Sequence, residues 1–272
     1  MPTNTQLIKE TGATFTPLKL ADFISDKILS YFTPENQHVK VLDPACGEGI
    51  LLTSISQKLI DKDIDFELTG FDSNADFLQK ASSNLKYLHP KYKVSLSKND
   101  FLKQVNPNEN QRDLFDSLSD KSQFINGTID LIIANPPYVR TQILGAEYAQ
   151  MISKKFGLKG RVDLYYPFLI GMTYALKKNG LIGVITSNRY LSTKSGISVR
   201  KFIKKNFDIL EVIDLGDTKL FNAAVLPAIL IGRKKSNSDN SNSRFTKVYQ
   251  ELNGSDNSLV NLNNFYDILY QK

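Results

Sequence analysis

The sequence contains few of the residues that build disulfides or metal sites. Among its 272 residues there are a single cysteine, Cys46, and two histidines. One cysteine excludes a disulfide within the chain, and one cysteine with two histidines is too small a ligand set for a convincing zinc site. We therefore expect a protein without a structural metal.

Long apolar segments are also lacking. No stretch approaches the roughly 18 consecutive apolar residues that a membrane span requires. Residues 1–10 are polar and do not contain the apolar region of a secretory signal. Together with the scarcity of cysteine, these absences lead us to expect a cytoplasmic protein with no membrane partner.

Charge is the first feature that is present in excess. The formal net charge is +6 and the isoelectric point is about 9.1. This balance permits a polyanionic partner such as nucleic acid, but lysine-rich surfaces also serve solubility, and the basic residues are spread along the whole chain. Charge alone therefore leaves the partner open.

Short apolar runs alternate with amphipathic segments, which is typical of a doubly wound α/β sheet. The pattern predicts seven strands at Val39–Leu42, Glu67–Phe71, Lys93–Leu96, Ile129–Ala134, Leu181–Thr186, Ile209–Asp214 and Val225–Gly232. It predicts helices at Leu18–Phe32, Ile50–Lys58, Ala75–Lys86, Leu164–Lys177 and Ser195–Lys205. Such a sheet binds its ligand at the carboxyl ends of the strands.

Three segments interrupt the alternation. Phe101–Thr128 is a long polar insertion, and Val139–Val162 is long enough to predict a lid-like loop. The segment Ser236–Ser243 has the composition of a flexible linker. We therefore predict a single catalytic domain over residues 1–235, followed by a linker and C-terminal tail over residues 236–272.

Acidic residues follow three successive predicted strands. The first strand leads into Asp43-Pro44-Ala45-Cys46-Gly47-Glu48-Gly49, whose glycines allow a tight turn and the close approach of a ligand. Asp72 follows the second strand, where a carboxylate can accept hydrogen bonds from both ribose hydroxyls of a nucleoside. Asp100 follows the third, where it can bind an adenine amino group while Phe101 covers the ring. Any one of these acids is better explained as a surface or capping residue, but three that line one crevice predict a nucleoside cofactor.

The fourth predicted strand runs directly into Asn135-Pro136-Pro137-Tyr138. A rigid turn explains the two prolines but neither the asparagine nor the tyrosine. Methylation of the amino group of adenine explains all four residues. The amino nitrogen is a poor nucleophile because its lone pair is delocalised into the ring, and acceptors that hold its hydrogens out of the ring plane free that lone pair.

We expect the side-chain carbonyl of Asn135 and the backbone carbonyl of Pro136 to be these acceptors. The proline rings restrict the backbone to extended geometry, and Tyr138 offers a face on which the base stacks. We also expect Asn135 and Pro137 to contact the cofactor. No general base is required, since the proton is lost after the nitrogen becomes cationic.

With these motifs, the sequence from Ala13 to about Lys234 resembles the amino-group DNA methyltransferases. In particular, it is similar to the adenine-N6 enzymes of restriction–modification systems whose motifs follow the gamma order. The resemblance implies a Rossmann-like class I methyltransferase fold and S-adenosylmethionine as the cofactor. It also implies that the substrate is an adenine that is flipped out of double-stranded DNA.

The same resemblance assigns roles to individual residues. Thr16, in a Thr-Pro pair near the N-terminus, is expected to contact the cofactor, and Asp43 is expected near its methionine moiety. Asp72 matches the ribose-binding acid, and Asp100-Phe101 matches the pair that contacts the cofactor adenine. Ala45 and Gly47 lie in the matching turn.

Further matches to the family lie after the Asn135–Tyr138 segment. Gly160–Tyr165 resembles the Gly-x-x-Asp-Leu-Tyr segment that opens the next helix, and Gly183–Tyr190 resembles the fifth strand with its exit loop. Phe221 lies in a segment whose aromatic residue stacks on the flipped base in this family. A core role would be the default interpretation of a lone Phe, but its polar surroundings favour stacking.

Three questions remain open at the level of sequence. Members of the family carry a target-recognition domain after the last strand, so the chain is a fragment, depends on a separate specificity subunit, or is a minimal enzyme that reads its site with loops. We expect one of the first two. The substrate alternatives are an RNA base or a protein glutamine. The third question is whether the chain is catalytic, since the alternative is a non-catalytic methyltransferase-like subunit. The intact Asn135, Pro136, Tyr138 and Asp72 argue against that alternative.

Overall fold

One mixed β-sheet with helices on both faces organises the described part of the chain. The computed structural model describes residues 16–34, 38–107, 124–160, 162–194, 196–216, 226–236, 242–248 and 270. The strands are β1 His38–Asp43, β2 Asp65–Phe71, β3 Lys93–Ser97, β4 Ile129–Ala134, β5 Leu176–Ser187, β6 Phe207–Asp214, β7 Pro227–Lys234 and β8 Arg244–Lys247. The helices are α1 Leu18–Ser30, α2 Ile50–Asp61, α3 Ala75–Asn84, α4 Ala146–Phe156, α5 Tyr165–Ala175, α6 Arg189–Ser192 and α7 Ile197–Asn206. Short 3-10 helices span Lys86–Leu88, Phe101–Lys103 and Thr141–Leu144.

The strands are ordered β3-β2-β1-β4-β5-β7-β6-β8. Strands β1 to β5 pair in parallel, whereas β7 lies antiparallel between β5 and β6. Because parallel strands share their direction, the carboxyl ends of β1, β2, β3 and β4 meet at one edge of the sheet. The strand order changes direction beside β1, which places a crevice at that edge.

The central strands of the sheet are buried on both faces, as the run of apolar residues in β4 illustrates. Leu131 and Ile133 pack with α1 and α2 in one core, while Ile132 and Ala134 pack with α5 and α7 in the other. This separation follows from the alternation of side chains along a strand. A strand that is covered on both sides needs apolar residues at successive positions, and this explains the continuous run in the sequence.

The predicted doubly wound α/β class is confirmed, but the strand count of seven is wrong by one. The eighth strand, β8, pairs in parallel with β6 at the edge of the sheet. Its four residues, Arg244–Lys247, are mostly exposed and have no apolar run, so the sequence contains no pattern that would indicate a strand. This strand belongs to the segment that we predicted as linker and tail, and it attaches part of that segment to the sheet.

The predicted lid-like loop at Val139–Val162 contains helix α4, which the sequence analysis did not predict. Gly145 and Gly157 are the residues that flank the helix, both with positive φ. Ala149, Ile152 and Phe156 form the buried stripe of α4 at spacings of three and four residues. At the base of the segment, Leu164 N donates to Val139 O at 2.7 Å.

Candidate active site

A cavity of about 380 Å³ opens at the carboxyl ends of β1, β2, β3 and β4. Its volume falls in the range of small-molecule sites. The lining residues are Pro44, Ala45, Gly47, Asp72, Ser73, Asn74, Phe77, Asn99, Asp100, Phe101, Asn135, Pro137, Leu144, Tyr148, Leu164 and Phe168. A smaller cavity of about 40 Å³ shares Ala45, Gly47 and Asn135 with it and is also lined by Thr16 and Asp43.

The turn between β1 and α2 forms one wall of both cavities. Cys46 N donates to Phe71 O at 2.8 Å, and Gly49 N donates to Cys46 O at 2.8 Å, so the turn is tied to the neighbouring strand. Gly47 has a φ of +53°, and a Cβ atom there would meet no atom of the described residues within 4 Å, its two chain neighbours aside. The backbone at Gly47 therefore faces open space in which a ligand can approach it closely.

Asp72 directly follows β2, and its carboxylate is held by two backbone groups. Gly47 N donates to Oδ2 at 2.9 Å, and Asn74 N donates to Oδ1 at 2.8 Å. Burial raises the pKa of Asp72, which these two hydrogen bonds partly offset. Each carboxylate oxygen can accept more than one hydrogen bond, so both oxygens of Asp72 keep acceptor capacity. The carboxylate is therefore preorganised to receive hydroxyl donors from the cavity that it lines.

Asp43, the last residue of β1, is almost completely buried, with 1% of its surface exposed. Its Oδ1 accepts a hydrogen bond from Ala45 N at 3.0 Å, whereas its Oδ2 has no hydrogen-bond partner among the described residues. Burial raises the pKa of Asp43 to about 8, and the nearby Asp72 adds to the shift. An orphaned carboxylate oxygen beside a cavity is suited to a cationic or hydrogen-bond-donating ligand.

Asp100 and Phe101 lie where β3 ends and a short 3-10 helix begins. Leu102 N donates to Asp100 Oδ1 at 2.9 Å, and the hydroxyl of Tyr148 donates to Asp100 Oδ2 at 3.1 Å. Phe101 is 1% exposed and stacks on Phe168 with 5.7 Å between the ring centroids. The two residues thus combine a fixed carboxylate with an apolar wall.

The segment Asn135–Tyr138 leaves the end of β4 at the boundary between the two cavities. Asn135 Nδ2 donates to Thr16 Oγ1 at 3.0 Å, and the hydroxyl of Tyr138 donates to Asn135 Oδ1. These contacts set the orientation of the amide, with its nitrogen towards the N-terminal segment and its oxygen towards Tyr138. Burial raises the pKa of Tyr138, so its hydroxyl remains protonated.

Most of the predicted site residues come together in this arrangement. The predicted residues that border one or both cavities are Thr16, Asp43, Ala45, Gly47, Asp72, Asp100, Phe101, Asn135 and Pro137. Pro136 is buried beside them, and Tyr138 reaches Asn135 through its hydroxyl. Phe221 lies outside the described residues, so its predicted role stays a prediction.

Sequence reasoning missed the contribution of α4 to this site. Tyr148 of α4 and Leu144 of the preceding 3-10 helix line the large cavity from the segment that we predicted as a loop. The signal that would have revealed the helix is the periodicity of Ala149, Ile152 and Phe156 between two glycines.

Within the described ranges, no group of three or more His, Cys, Asp or Glu side chains is placed to hold a metal ion. Likewise, no helix there is long and apolar enough to cross a bilayer.

The sequence of the chain is similar to known methyltransferases over most of its length. Residues 49–221 match the family of the Eco57I restriction-modification methylase. Type II methyltransferase M.BanIII of Aneurinibacillus aneurinilyticus is 44% identical over 255 residues, which are 91% of this chain and 43% of that protein. Type II methyltransferase M.PaeR7I of Pseudomonas aeruginosa is 27% identical over 235 residues, or 82% of this chain and 40% of that protein. The chain therefore spans less than half of the length of either relative.

Solved structures share the fold at low sequence identity. A putative class I S-adenosylmethionine-dependent methyltransferase of Listeria monocytogenes superposes with a TM-score of 0.67 at 21% identity, covering 100% of this chain and 72% of that one. The Type ISP restriction-modification enzyme LlaGI, solved with a DNA substrate mimic, superposes with a TM-score of 0.67 at 17% identity. That match covers 96% of this chain and 29% of the LlaGI chain. The predicted class I methyltransferase fold is confirmed.

Proposed function

The chain belongs to the Eco57I restriction-modification methylase family, and on that premise we propose that it methylates the N6 amino group of adenine in double-stranded DNA with S-adenosylmethionine as the methyl donor. The observation that carries this proposal is the placement of Asn135 at the boundary of the two cavities. Its amide nitrogen is bound to Thr16 and its oxygen is turned towards Tyr138. An amide oxygen oriented by its surroundings is the acceptor that amino-nitrogen methylation requires.

The residues that border the cavities fit this cofactor. When bound, S-adenosylmethionine supplies a methyl group that its positively charged sulfonium makes electrophilic. Asp72, held by two backbone N–H groups, would accept the ribose hydroxyls, and Asp100 with Phe101 would hold the adenine. The buried Oδ2 of Asp43 would accept a hydrogen bond from the cationic methionine end of the cofactor. The positive charge of that end would also stabilise the ionised carboxylate. Gly47 lets this end approach the backbone closely.

On the acceptor side, the proposal assigns the amino hydrogens of the target adenine to Asn135 and Pro136. An amide oxygen has two lone pairs, so Asn135 Oδ1 can bind an amino hydrogen while it still accepts from Tyr138. The prolines hold both acceptors on a restricted backbone, which favours a fixed geometry for the incoming nitrogen. The chain needs no base before transfer, because the nitrogen gives up its proton only after it has become cationic.

A paired adenine cannot bring its amino group to this cavity, so the proposal includes base flipping, with Tyr138 and Phe221 as stacking partners. Choice of the DNA sequence requires contacts beyond the catalytic site. The relatives named above are more than twice as long as this chain. We assign sequence recognition to a further domain or to a separate specificity subunit.

The test is to express the chain, alone and with any further domain or subunit encoded alongside it, in a host without DNA methyltransferases. Sequencing of native DNA and mass spectrometry of its nucleosides should then detect N6-methyladenine in a defined sequence context. The Asn135→Ala variant provides the matched control and should leave the DNA unmodified.

Other outcomes would contradict the proposal. Methyl groups on RNA bases or on protein glutamine would assign the chemistry to a different substrate. Methylation of cytosine in DNA would be compatible with membership of the family but would overturn the assignment of adenine as the substrate. Binding of S-adenosylmethionine without transfer, even with the additional domain or subunit present, would indicate a non-catalytic module.

A further inference from the structure

Helix α4 carries a tyrosine that bonds one of the acids at the cavity. The hydroxyl of Tyr148 donates to Asp100 Oδ2 at 3.1 Å, although the two residues are 48 positions apart in sequence. Both side chains line the large cavity. Tyr148 belongs to none of the motifs that indicated the function, so its presence here is a product of the fold.

With this bond, the carboxylate of Asp100 is held on both oxygens. Leu102 N binds Oδ1 at 2.9 Å from one side, and Tyr148 binds Oδ2 from the other. Rotation of the carboxylate about its χ2 angle would break at least one of these bonds. Each oxygen can still accept a further hydrogen bond, and the direction of that free site is set by the two existing donors.

The position of Tyr148 is held by the packing of α4. Ala149, Ile152 and Phe156 bury one side of α4 against the core, which fixes the helix relative to the sheet. Burial raises the pKa of Tyr148, and the neighbouring Asp100 adds to this shift, because both disfavour a phenolate. The hydroxyl therefore remains a donor. Burial lowers the pKa of Lys155 on the same helix, and the charge of Asp100 partly opposes that shift.

We infer that Tyr148 is a positioning residue that orients Asp100 and thereby enables the cofactor site to select a purine with a 6-amino group. The inference rests on the proposed function, in which Asp100 accepts a hydrogen bond from the adenine of the cofactor. A carboxylate that is free to rotate would still bind donors, but it would distinguish poorly between ligands with and without a donor at one position. Orientation converts the acid into a specificity-determining group.

The experiment compares two ligands by isothermal titration calorimetry. One is S-adenosylhomocysteine, and the other is its analogue in which hydrogen replaces the 6-amino group of the purine. The wild-type chain should bind the amino ligand more tightly by about 10-fold or more, as expected for a hydrogen bond to a charged acceptor. In Tyr148→Phe, this preference should fall about 3- to 10-fold, as expected for loss of one orienting hydrogen bond. Asp100→Ala should abolish the preference, and addition of Tyr148→Phe to Asp100→Ala should have no further effect on it.

The matched control is Tyr87→Phe, which removes a hydroxyl that bonds Ser56 away from the cavity and should preserve the preference. Thermal unfolding monitors the fold of every variant. If Tyr148→Phe weakens the binding of both ligands by the same factor, or of neither, Tyr148 only lines the cavity and the inference is overturned. If the wild-type chain binds neither ligand, the proposed function itself has failed, and that result is distinct from equal weakening in the variant.

Discussion

The side chains of Asn135 and Thr16 form a 3.0 Å hydrogen bond although 119 positions separate them in sequence. Thr16 lies just before α1, and Asn135 directly follows β4. Because the amide nitrogen donates to the threonine hydroxyl, the amide oxygen is directed to the other side, where it accepts from Tyr138. The N-terminal segment therefore orients the residue to which we assign the central role in catalysis.

This relationship predicts the effect of substitutions at Thr16. Thr16→Val keeps the shape but cannot accept the hydrogen bond, and the freed amide can turn its oxygen away from the target nitrogen. We expect kcat for methyl transfer to fall about 5- to 10-fold, which corresponds to one hydrogen bond of ordinary strength. Thr16→Ser keeps the hydroxyl and should retain most of the activity. Equal kcat values for the Val and Ser variants would show that the bond does not matter for turnover.

Removal of the Asn135 amide tests the proposed acceptor directly. We expect Asn135→Ala to lower kcat by at least about 100-fold, by analogy with the loss of a preorganised hydrogen-bonding group from other active sites. Cofactor affinity, measured by calorimetry, should persist because the cavity keeps its other lining residues. Asn206→Ala is the control, since that amide bonds the Phe202 carbonyl in α7. Near-normal turnover in Asn135→Ala would exclude the mechanism.

Asp72 should determine cofactor affinity. Asp72→Asn preserves the size of the side chain but removes the charge that strengthens hydrogen bonds from hydroxyl donors. We expect the dissociation constant for S-adenosylhomocysteine to rise at least about 5-fold. Asp76→Asn, in the first turn of α3, should leave the affinity unchanged because that residue does not line the cavity. An unaltered constant in Asp72→Asn would mean that the ribose lies elsewhere.

Asp43 predicts a pH dependence of stability in the absence of ligand. Its pKa is raised from 3.8 to about 8, so between these values the folded chain binds this proton more strongly than the unfolded chain. The stabilisation is complete below the unfolded pKa and is lost as the pH rises through the folded pKa. The contribution of Asp43 to the free energy of unfolding therefore decreases from mildly acidic pH towards pH 8.

The variant Asp43→Asn isolates this contribution because asparagine mimics the protonated acid. Thermal unfolding of both proteins should show that the variant gains in stability relative to the wild type as the pH is raised from 5 to 9. Titrating groups that do not interact with Asp43 are common to both proteins and cancel in the difference. A difference that is constant with pH would show that Asp43 is ionised throughout this range.

Local sequence information was sufficient for most of the fold. The buried strands, such as β4, are continuous apolar runs because helices cover both faces of the sheet, and such runs are visible without tertiary knowledge. The edge strand β8 has no such run, because it is mostly exposed and is held to the sheet mainly by backbone pairing with β6. Helix α4 escaped prediction because its flanking glycines, Gly145 and Gly157, suggested a loop.

For the site, the residues that follow each strand were predictable because strand ends in a parallel sheet converge on one edge. Asp72, Asp100 and Asn135 were all identified in this way, and each borders the same cavity. Tyr148 was not predictable, because no local pattern relates a tyrosine in α4 to an acid that follows β3.

By itself, then, the sequence determined the alternation of strands and helices, the acids at the strand ends and the Asn135-Pro136-Pro137-Tyr138 segment, all of which depend on neighbours along the chain. Only the tertiary structure decided which way the Asn135 amide points, which oxygen of Asp43 has no partner among the described residues and which donor holds Asp100. These properties depend on atoms that are distant in sequence. Hydrogen bonds are short and directional, so their partners are known only once packing has placed them.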